Sequence, residues 1–165
     1  MAEDGFDGKP LRSAAAYVQA DWIDYNGHMN VAYYTLAFDR ALDEIYERIG
    51  IGPGLVESHN MGPMALQTHI HYVGELREGE RFACDFRLVD ADAKRVHVYV
   101  EMLALDRAEA LAATYESLTL NVDLGARRSA PFPAAAAARV QALLAAQAGL
   151  PKPDRLGAPL GIRRG

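Results

Sequence analysis

The sequence predicts an α+β domain in which one long helix packs against a single face of an antiparallel sheet. Three observations predict it. An amphipathic stretch follows an early strand-forming run; four further strand-like runs come after it; and the polar separators between those four are too short for parallel crossovers. Elements in the order strand, long helix, then consecutive strands bury their apolar sides when the helix lies across one sheet face.

Taken in order, Ala14 to Ile23 has β-formers late in the run and no breaker, which predicts a first strand. It leads into the turn Asp24-Tyr-Asn-Gly-His28, whose Asn-Gly pair tolerates positive φ. Tyr34, Phe38, Ala41, Leu42, Ile45 and Ile49 then recur at three- and four-residue spacing, with Asp39, Arg40, Asp43, Glu44, Glu47 and Arg48 between them. This is a helix from about Val31 to Ile49, with Asn30 as its N-cap and Gly50 as its stop. After a loop from Gly50 to Gly62, strands are expected over Met64–Val73, Glu80–Val89, Arg95–Leu105 and Leu111–Val122. In the third of these, Val96, Val98, Val100 and Met102 alternate with His97, Tyr99, Glu101 and Leu103. The alanine-rich run Pro133–Gln147, with the stripe Val140, Leu143 and Leu144 and with Gly149 behind it, predicts a terminal helix. The expected organisation is a mobile leader over 1–12, one domain over 13–149 and an extended tail over 150–165, without internal repeats.

Composition bounds the function. A length of 165 residues suits one core, and 50% hydrophobic with 24% charged residues is a globular balance. No apolar run approaches the roughly 18 to 20 residues that span a bilayer, and the acidic, glycine-rich start has no secretory-signal pattern. Cys84 is the single cysteine, which excludes a disulfide within the chain; in a strand-like run it reads as a buried, inert thiol, and a cytoplasmic location is expected. A formal net charge of −5 argues against a nucleic-acid partner.

Chemistry concentrates in Asp24-Tyr-Asn-Gly-His-Met-Asn30, where a carboxylate, two amides and an imidazole lie on a turn entering the long helix. Free N–H groups of a first helical turn polarise a carbonyl and stabilise the oxyanion formed when it is attacked. A carboxylate beside them can attack directly or take a proton from water. Read singly, Asp24 and Asn26 make a turn, Asn30 caps the helix and His28 is a surface histidine. Their concentration within seven residues speaks for a site, since a turn and a cap do not also need the imidazole.

The pattern Asp24-x-Asn26-x-His28-x-Asn30, followed by Tyr33-Tyr34 and a long helix, resembles the start of hot-dog-fold acyl-CoA and acyl-ACP thioesterases, a resemblance that extends over about Ala14 to Leu124. It implies a long central helix wrapped by a curved antiparallel sheet, two subunits pairing their sheets, and an acyl thioester bound at their interface. It also implies that Asp24 is the catalytic nucleophile or base, that Asn26 and His28 position groups and move protons, and that the N–H near Val31 polarises the carbonyl. CoA is then part of the substrate and no cofactor is expected. The partners implied are a small acyl-CoA and a second copy of the chain, as a homodimer or a dimer of dimers, with no membrane.

Other residues rank lower. Glu57 and Glu75 are candidates for a second carboxylate, against a default of solvated loop charge. His69 and His71 share one face of a strand, but no third ligand of suitable spacing accompanies them and no metal is expected. His59 and His97 carry no local signal. Arg77, Arg81, Arg127 and Arg128 are candidates for the CoA phosphates. The stretch from Asn121 to Pro133 and the tail from Leu150 are similar to bacterial thioesterases of carnitine breakdown, which release betaine from betainyl-CoA. A trimethylammonium acyl group suits an aromatic cage, for which Trp22, Tyr25, Tyr33 and Tyr34 are the candidates, packing being the alternative. Two rivals stand beside hydrolysis. A hot-dog enoyl-CoA hydratase would place its imidazole five residues after the aspartate, behind a proline, whereas here the spacing is four and the proline is missing. A non-catalytic acyl-CoA-binding domain would keep the fold and use the motif only as turn and cap.

Overall fold

A computed structural model describes residues 5–162; the first four residues of the leader and residues 163–165 of the tail lie outside them. Helix α1, Val31–Arg48, forms where the apolar stripe predicted it. The Asn30 side chain accepts the Ala32 N–H at its start. At its end Gly50, at φ +78, turns the chain so that the Gly50 and Ile51 N–H groups return to Glu47 and Tyr46. A residue with a Cβ would be strained in that left-handed conformation.

Four long strands build the sheet: β3 (Met61–Tyr72), β4 (Arg81–Ala91), β5 (Arg95–Ala104) and β6 (Ala110–Asp123). Two short ones, β1 (Leu11–Arg12) and β2 (Ala16–Tyr17), pair with β4, and β7 (Arg128–Ser129) pairs with β6. All pairings are antiparallel, in the order β1-β4-β5-β6-β3. Irregularities at Ala65/Gln67, Leu88/Asp90 and Met102/Leu103 each shift the register by a residue, the device that bends a sheet around a helix. The core lies between, with Phe38 against Tyr115 at 5.1 Å and Tyr46 edge-on to Phe86 at 6.1 Å. The buried Tyr46 hydroxyl meets Thr119 Oγ1 at 3.1 Å, so its polar end is satisfied. Helix α3, Ala134–Gln147, packs on β4 and uses the Gln147 side chain to accept the Leu88 N–H.

Three expectations need correction. The strand over Ala14–Ile23 is replaced by β2, a 3-10 turn at Ala20–Trp22 and a single bridge from Ile23 to Met29, because the edge of β4 accepts the chain only briefly before it must turn toward α1. The loop Gly50–Gly62 contains a helix, α2 (Pro53–His59), with Pro53 in its first turn and the Glu47 carboxylate accepting the Gly54 N–H. Gly52 lies so close to the Glu47 backbone that a Cβ would fall 2.4 Å from its nitrogen. Leu11 and Arg12, placed in the leader on sequence grounds, are ladder residues.

Candidate active site

The turn after Trp22 is closed from several sides. Asp24 N–H donates to the His28 carbonyl at 3.2 Å, Gly27 N–H to the Asp24 carbonyl at 2.9 Å and Asn30 N–H to the Trp22 carbonyl at 2.9 Å. Gly27 sits at φ +81, which explains the glycine of the Asn-Gly pair. The result holds Asp24 beside the opening of α1. Its Oδ1 accepts the Asn26 N–H at 2.8 Å and its Oδ2 accepts the Asn30 side-chain amide at 2.9 Å. The other end of that amide caps Ala32 at 3.0 Å, so one asparagine both caps the helix and orients the carboxylate. The Asn26 N–H, then the Asn30 amide, with His28 adding charge, hold the Asp24 carboxyl below the ordinary carboxylate range. The Asn30 side chain and carbonyl take the Ala32 and Tyr33 N–H groups. The N–H of Val31, a residue 58% exposed, has no acceptor among the described residues.

His28 is fixed by its other neighbours. Its Nδ1 lies 3.2 Å from the Met29 carbonyl, which only accepts, so Nδ1 carries a proton. Nε2 faces Glu75 Oε1 at 3.9 Å, and Glu75 Oε2 stands 3.8 Å from Arg77. The segment carrying Glu75 is held at successive residues: the Tyr34 hydroxyl donates to the Gly74 carbonyl at 3.2 Å and accepts the Leu76 N–H at 3.1 Å, Arg107 donates to the Glu75 carbonyl, and the Leu76 carbonyl accepts the Met29 N–H at 2.8 Å. Of the two carboxylates considered from sequence, Glu75 therefore reaches the imidazole. Glu57 lies on α2, which packs on the start of β3 and borders Glu47 near the other end of α1.

The four aromatic residues go different ways. Trp22 is buried and stacks on Tyr33 with centroids 5.4 Å apart and planes 10° apart, Tyr34 turns inward to hold residues 74 and 76, and Tyr25 is 96% exposed. Tyr72, which sequence reasoning did not single out, meets Tyr34 edge-on at 5.3 Å and is half exposed. Its place as the last residue of β3, two before Gly74, was the available signal. Arg81 is paired with Asp106 at 2.7 Å, while Arg127 and Arg128 lie at the β6–β7 turn, beyond the end of β6 that pairs with Met61. His69 and His71 sit with rings 5.7 Å apart on the sheet face away from α1, and among the described residues no group of three His, Cys, Asp or Glu is placed to hold a metal. His59 Nδ1 lies 2.9 Å from Ser58 Oγ, and His97 pairs with Glu116 at 2.8 Å. Cys84 is fully buried, and burial pushes its thiol up to about 12, outside the range of a nucleophile.

The match to known proteins follows the same outline. Residues 18–140 fit the thioesterase-like superfamily. The chain is 34% identical over 145 residues to the betainyl-CoA thioesterase of Pseudomonas aeruginosa strain PAO1, covering 88% of this chain and 91% of that one. It is 32% identical over 155 residues to the L-carnitine dehydrogenase/betainyl-CoA thioesterase of Rhizobium meliloti strain 1021, of whose length it spans 31%. In structure it is similar to a Pseudomonas putida KT2440 protein assigned as a thioesterase, at TM-score 0.80 and 32% identity over 94% of this chain and 98% of that chain. The fold is also that of a Staphylococcus aureus protein solved in complex with CoA, at TM-score 0.85 and 24% identity over 94% and 98% of the two chains. The chain belongs to the thioesterase-like superfamily, a class of thioester hydrolases with the hot-dog fold.

Proposed function

We propose that this hydrolase cleaves a small acyl-CoA, and that betainyl-CoA, the substrate named for its relatives in Pseudomonas aeruginosa and Rhizobium meliloti, is its substrate. The observation that carries the reading is the ionised Asp24 carboxylate held beside the unclaimed N–H of Val31. In this reading the thioester carbonyl oxygen takes that N–H, which stabilises the negative charge developing as the carbonyl carbon is attacked. Either Asp24 attacks the carbonyl carbon, the C–S bond breaks and water then hydrolyses the acyl–aspartyl anhydride to free acid and Asp24 carboxylate, or Asp24 deprotonates the water that attacks and the C–S bond breaks as the acid forms; in both the CoA thiolate takes up a proton. His28, with Glu75 behind its Nε2, is suited to move that proton, and Asn26 and Asn30 hold Asp24 in line.

A homodimer completes the assembly in this proposal. The free side of β3 offers unpaired backbone groups, and Met64 and Leu66 on it are exposed, which suits pairing with a second β3. Among the described residues no helix is long and apolar enough to cross a membrane, and the buried Cys84 suits a reducing, cytoplasmic setting. The test is thiol release from a panel of acyl-CoAs with betainyl-CoA included. Betainyl-CoA should give the highest kcat/KM, and binding without thiol release from any member would mark the chain as a binding domain instead.

A further inference from the structure

The connection from β3 to β4, which carries Glu75, is fastened by two different elements. From α1, the Tyr34 hydroxyl holds the Gly74 carbonyl and the Leu76 N–H. The turn between β5 and β6 reaches residues 75 and 77. There Arg107 donates from Nη2 to the Glu75 carbonyl and pairs through Nε with Glu80 Oε1 at 2.9 Å. Glu80 Oε2, 3.3 Å from the same Nη2, accepts the Arg77 N–H at 2.8 Å. One guanidinium and the carboxylate it pairs with therefore fix two backbone groups of the connection, and the Glu80 carbonyl is itself anchored by the Val18 N–H at 3.0 Å. The turn that presents Arg107 is strained. Ala108 and Glu109, which follow it, lie at φ +52 and +57, a left-handed conformation that favours glycine. The turn keeps this shape because its other polar residues are tied as well, Asp106 to Arg81 at 2.7 Å and Glu109 to Arg12 at 2.6 Å.

We infer that Arg107 is a positioning residue for the His28–Glu75 pair, an inference that rests on the proposed hydrolysis. The Glu75 carboxylate is 58% exposed and stands 3.9 Å from His28 Nε2 and 3.8 Å from Arg77, beyond hydrogen-bond distance of both. Such contacts do not hold a side chain, so the place of this carboxylate is set by the backbone beneath it. The Glu75 carbonyl and the Leu76 N–H belong to one peptide unit, and Arg107 and Tyr34 pin its two ends. Without Arg107 the unit keeps one fastening and can pivot on it, which swings the Glu75 side chain relative to His28. A misplacement of about 1 Å in a catalytic arrangement can cost about 10²-fold in rate. Arginine suits the task because its planar fork meets a carboxylate and a carbonyl together, which the single ammonium of a lysine does not. The strained pair Ala108 and Glu109 gains a role in the same way, since it turns the chain immediately after the residue that must be aimed.

Intact protein carrying Arg107→Met should lose at least about tenfold in kcat for the acyl-CoA that the native protein turns over fastest, with KM within about twofold, because a displaced Glu75 impairs proton movement and leaves substrate contacts in place. In the Glu75→Gln background, where no carboxylate remains to be placed, the same substitution should lower kcat no further. Amide hydrogen exchange, which needs no turnover, should be faster across residues 74–77 in Arg107→Met. Glu109→Gln, which loosens the same turn at its tie to Arg12, should leave kcat in place. A native kcat in Arg107→Met, a further loss of the same size in the Glu75→Gln background, unchanged exchange over residues 74–77, or a loss in Glu109→Gln equal to that in Arg107→Met would each overturn the positioning role while hydrolysis stands. Native protein that releases no thiol from any acyl-CoA would instead overturn the proposed hydrolysis, and the positioning role with it.

Discussion

Asp24 owes its charge to two donors of different origin: a backbone N–H two residues on, which the turn supplies, and a side-chain amide that also caps the helix. On the proposal that Asp24 attacks the thioester or deprotonates water, Asp24→Asn should lower kcat/KM for thiol release by about 10² to 10⁴ with the circular dichroism spectrum unchanged, because the turn keeps its shape. Retained turnover would remove Asp24 from the mechanism. The pH dependence has a definite sign. A carboxyl depressed in the folded chain stays ionised down to a pH below the ordinary carboxylate range, so activity that depends on it persists there and falls as pH drops through the depressed value. Its contribution to stability has the same sign, present above the unfolded value and lost as pH falls through the folded one. Asn30→Ala should move that acid limb upward and cost about 1 kcal/mol in denaturant unfolding through loss of the cap. A limb that stays in place would show that another group sets it. Most of this was legible in the sequence, because Asp24, Asn26, His28 and Asn30 lie within one turn. Glu75 was visible only as one of two loop carboxylates, because the link that brings it to His28 runs through tertiary hydrogen bonds of Tyr34, Arg107 and Met29.

At the scale of elements, α1 and the connection from β3 to β4 act as one unit through the Tyr34 hydroxyl, which donates to one backbone group of residues 74–76 and accepts from another. Tyr34→Phe keeps the ring packing but leaves a buried N–H without its partner, for a cost of about 1 to 3 kcal/mol. Because the same segment carries Glu75, the variant should also lower kcat more than it raises KM, and Glu75→Gln should lower kcat without the loss of stability. Equal melting temperatures for native protein and Tyr34→Phe would sink the first expectation, and an unchanged kcat in both variants the second. The strands β3 to β6 and helices α1 and α3 were legible because each has a long periodic pattern. Helix α2 was not, since Pro53 and Gly54 open a segment of seven residues and its capping carboxylate comes from α1. The short β1 and β2 were hidden for a related reason: their pairing is decided by the bare edge of β4 and not by their own composition.

For the whole molecule, both terminal segments are fastened by groups distant in sequence. The Arg87 guanidinium donates to the Leu150 and Pro151 carbonyls, Glu116 accepts the Gly157 N–H, and the Gln147 side chain donates to the Lys9 carbonyl. None of this follows from a tail rich in proline and glycine, because the anchors are backbone carbonyls and a backbone N–H that carry no compositional signal. These contacts cover the β4 edge and part of the outer sheet face, and they leave the far edge, β3, open. An open edge of twelve residues with Leu66 56% exposed is a template for another strand, and an isologous pair of β3 strands must run antiparallel. Light scattering should therefore give twice the 18.0 kDa of one chain. Leu66→Lys, placing a charge where two such edges meet, should shift the mass toward a single chain. Antiparallel pairing brings the Met61 end of one β3 to the Tyr72 end of the other, beside the segment that carries Glu75, so the separated chain should lose thiol release while keeping its circular dichroism spectrum. A native protein of single-chain mass would refute the pairing, and a separated variant with full turnover would show that each chain holds a complete site.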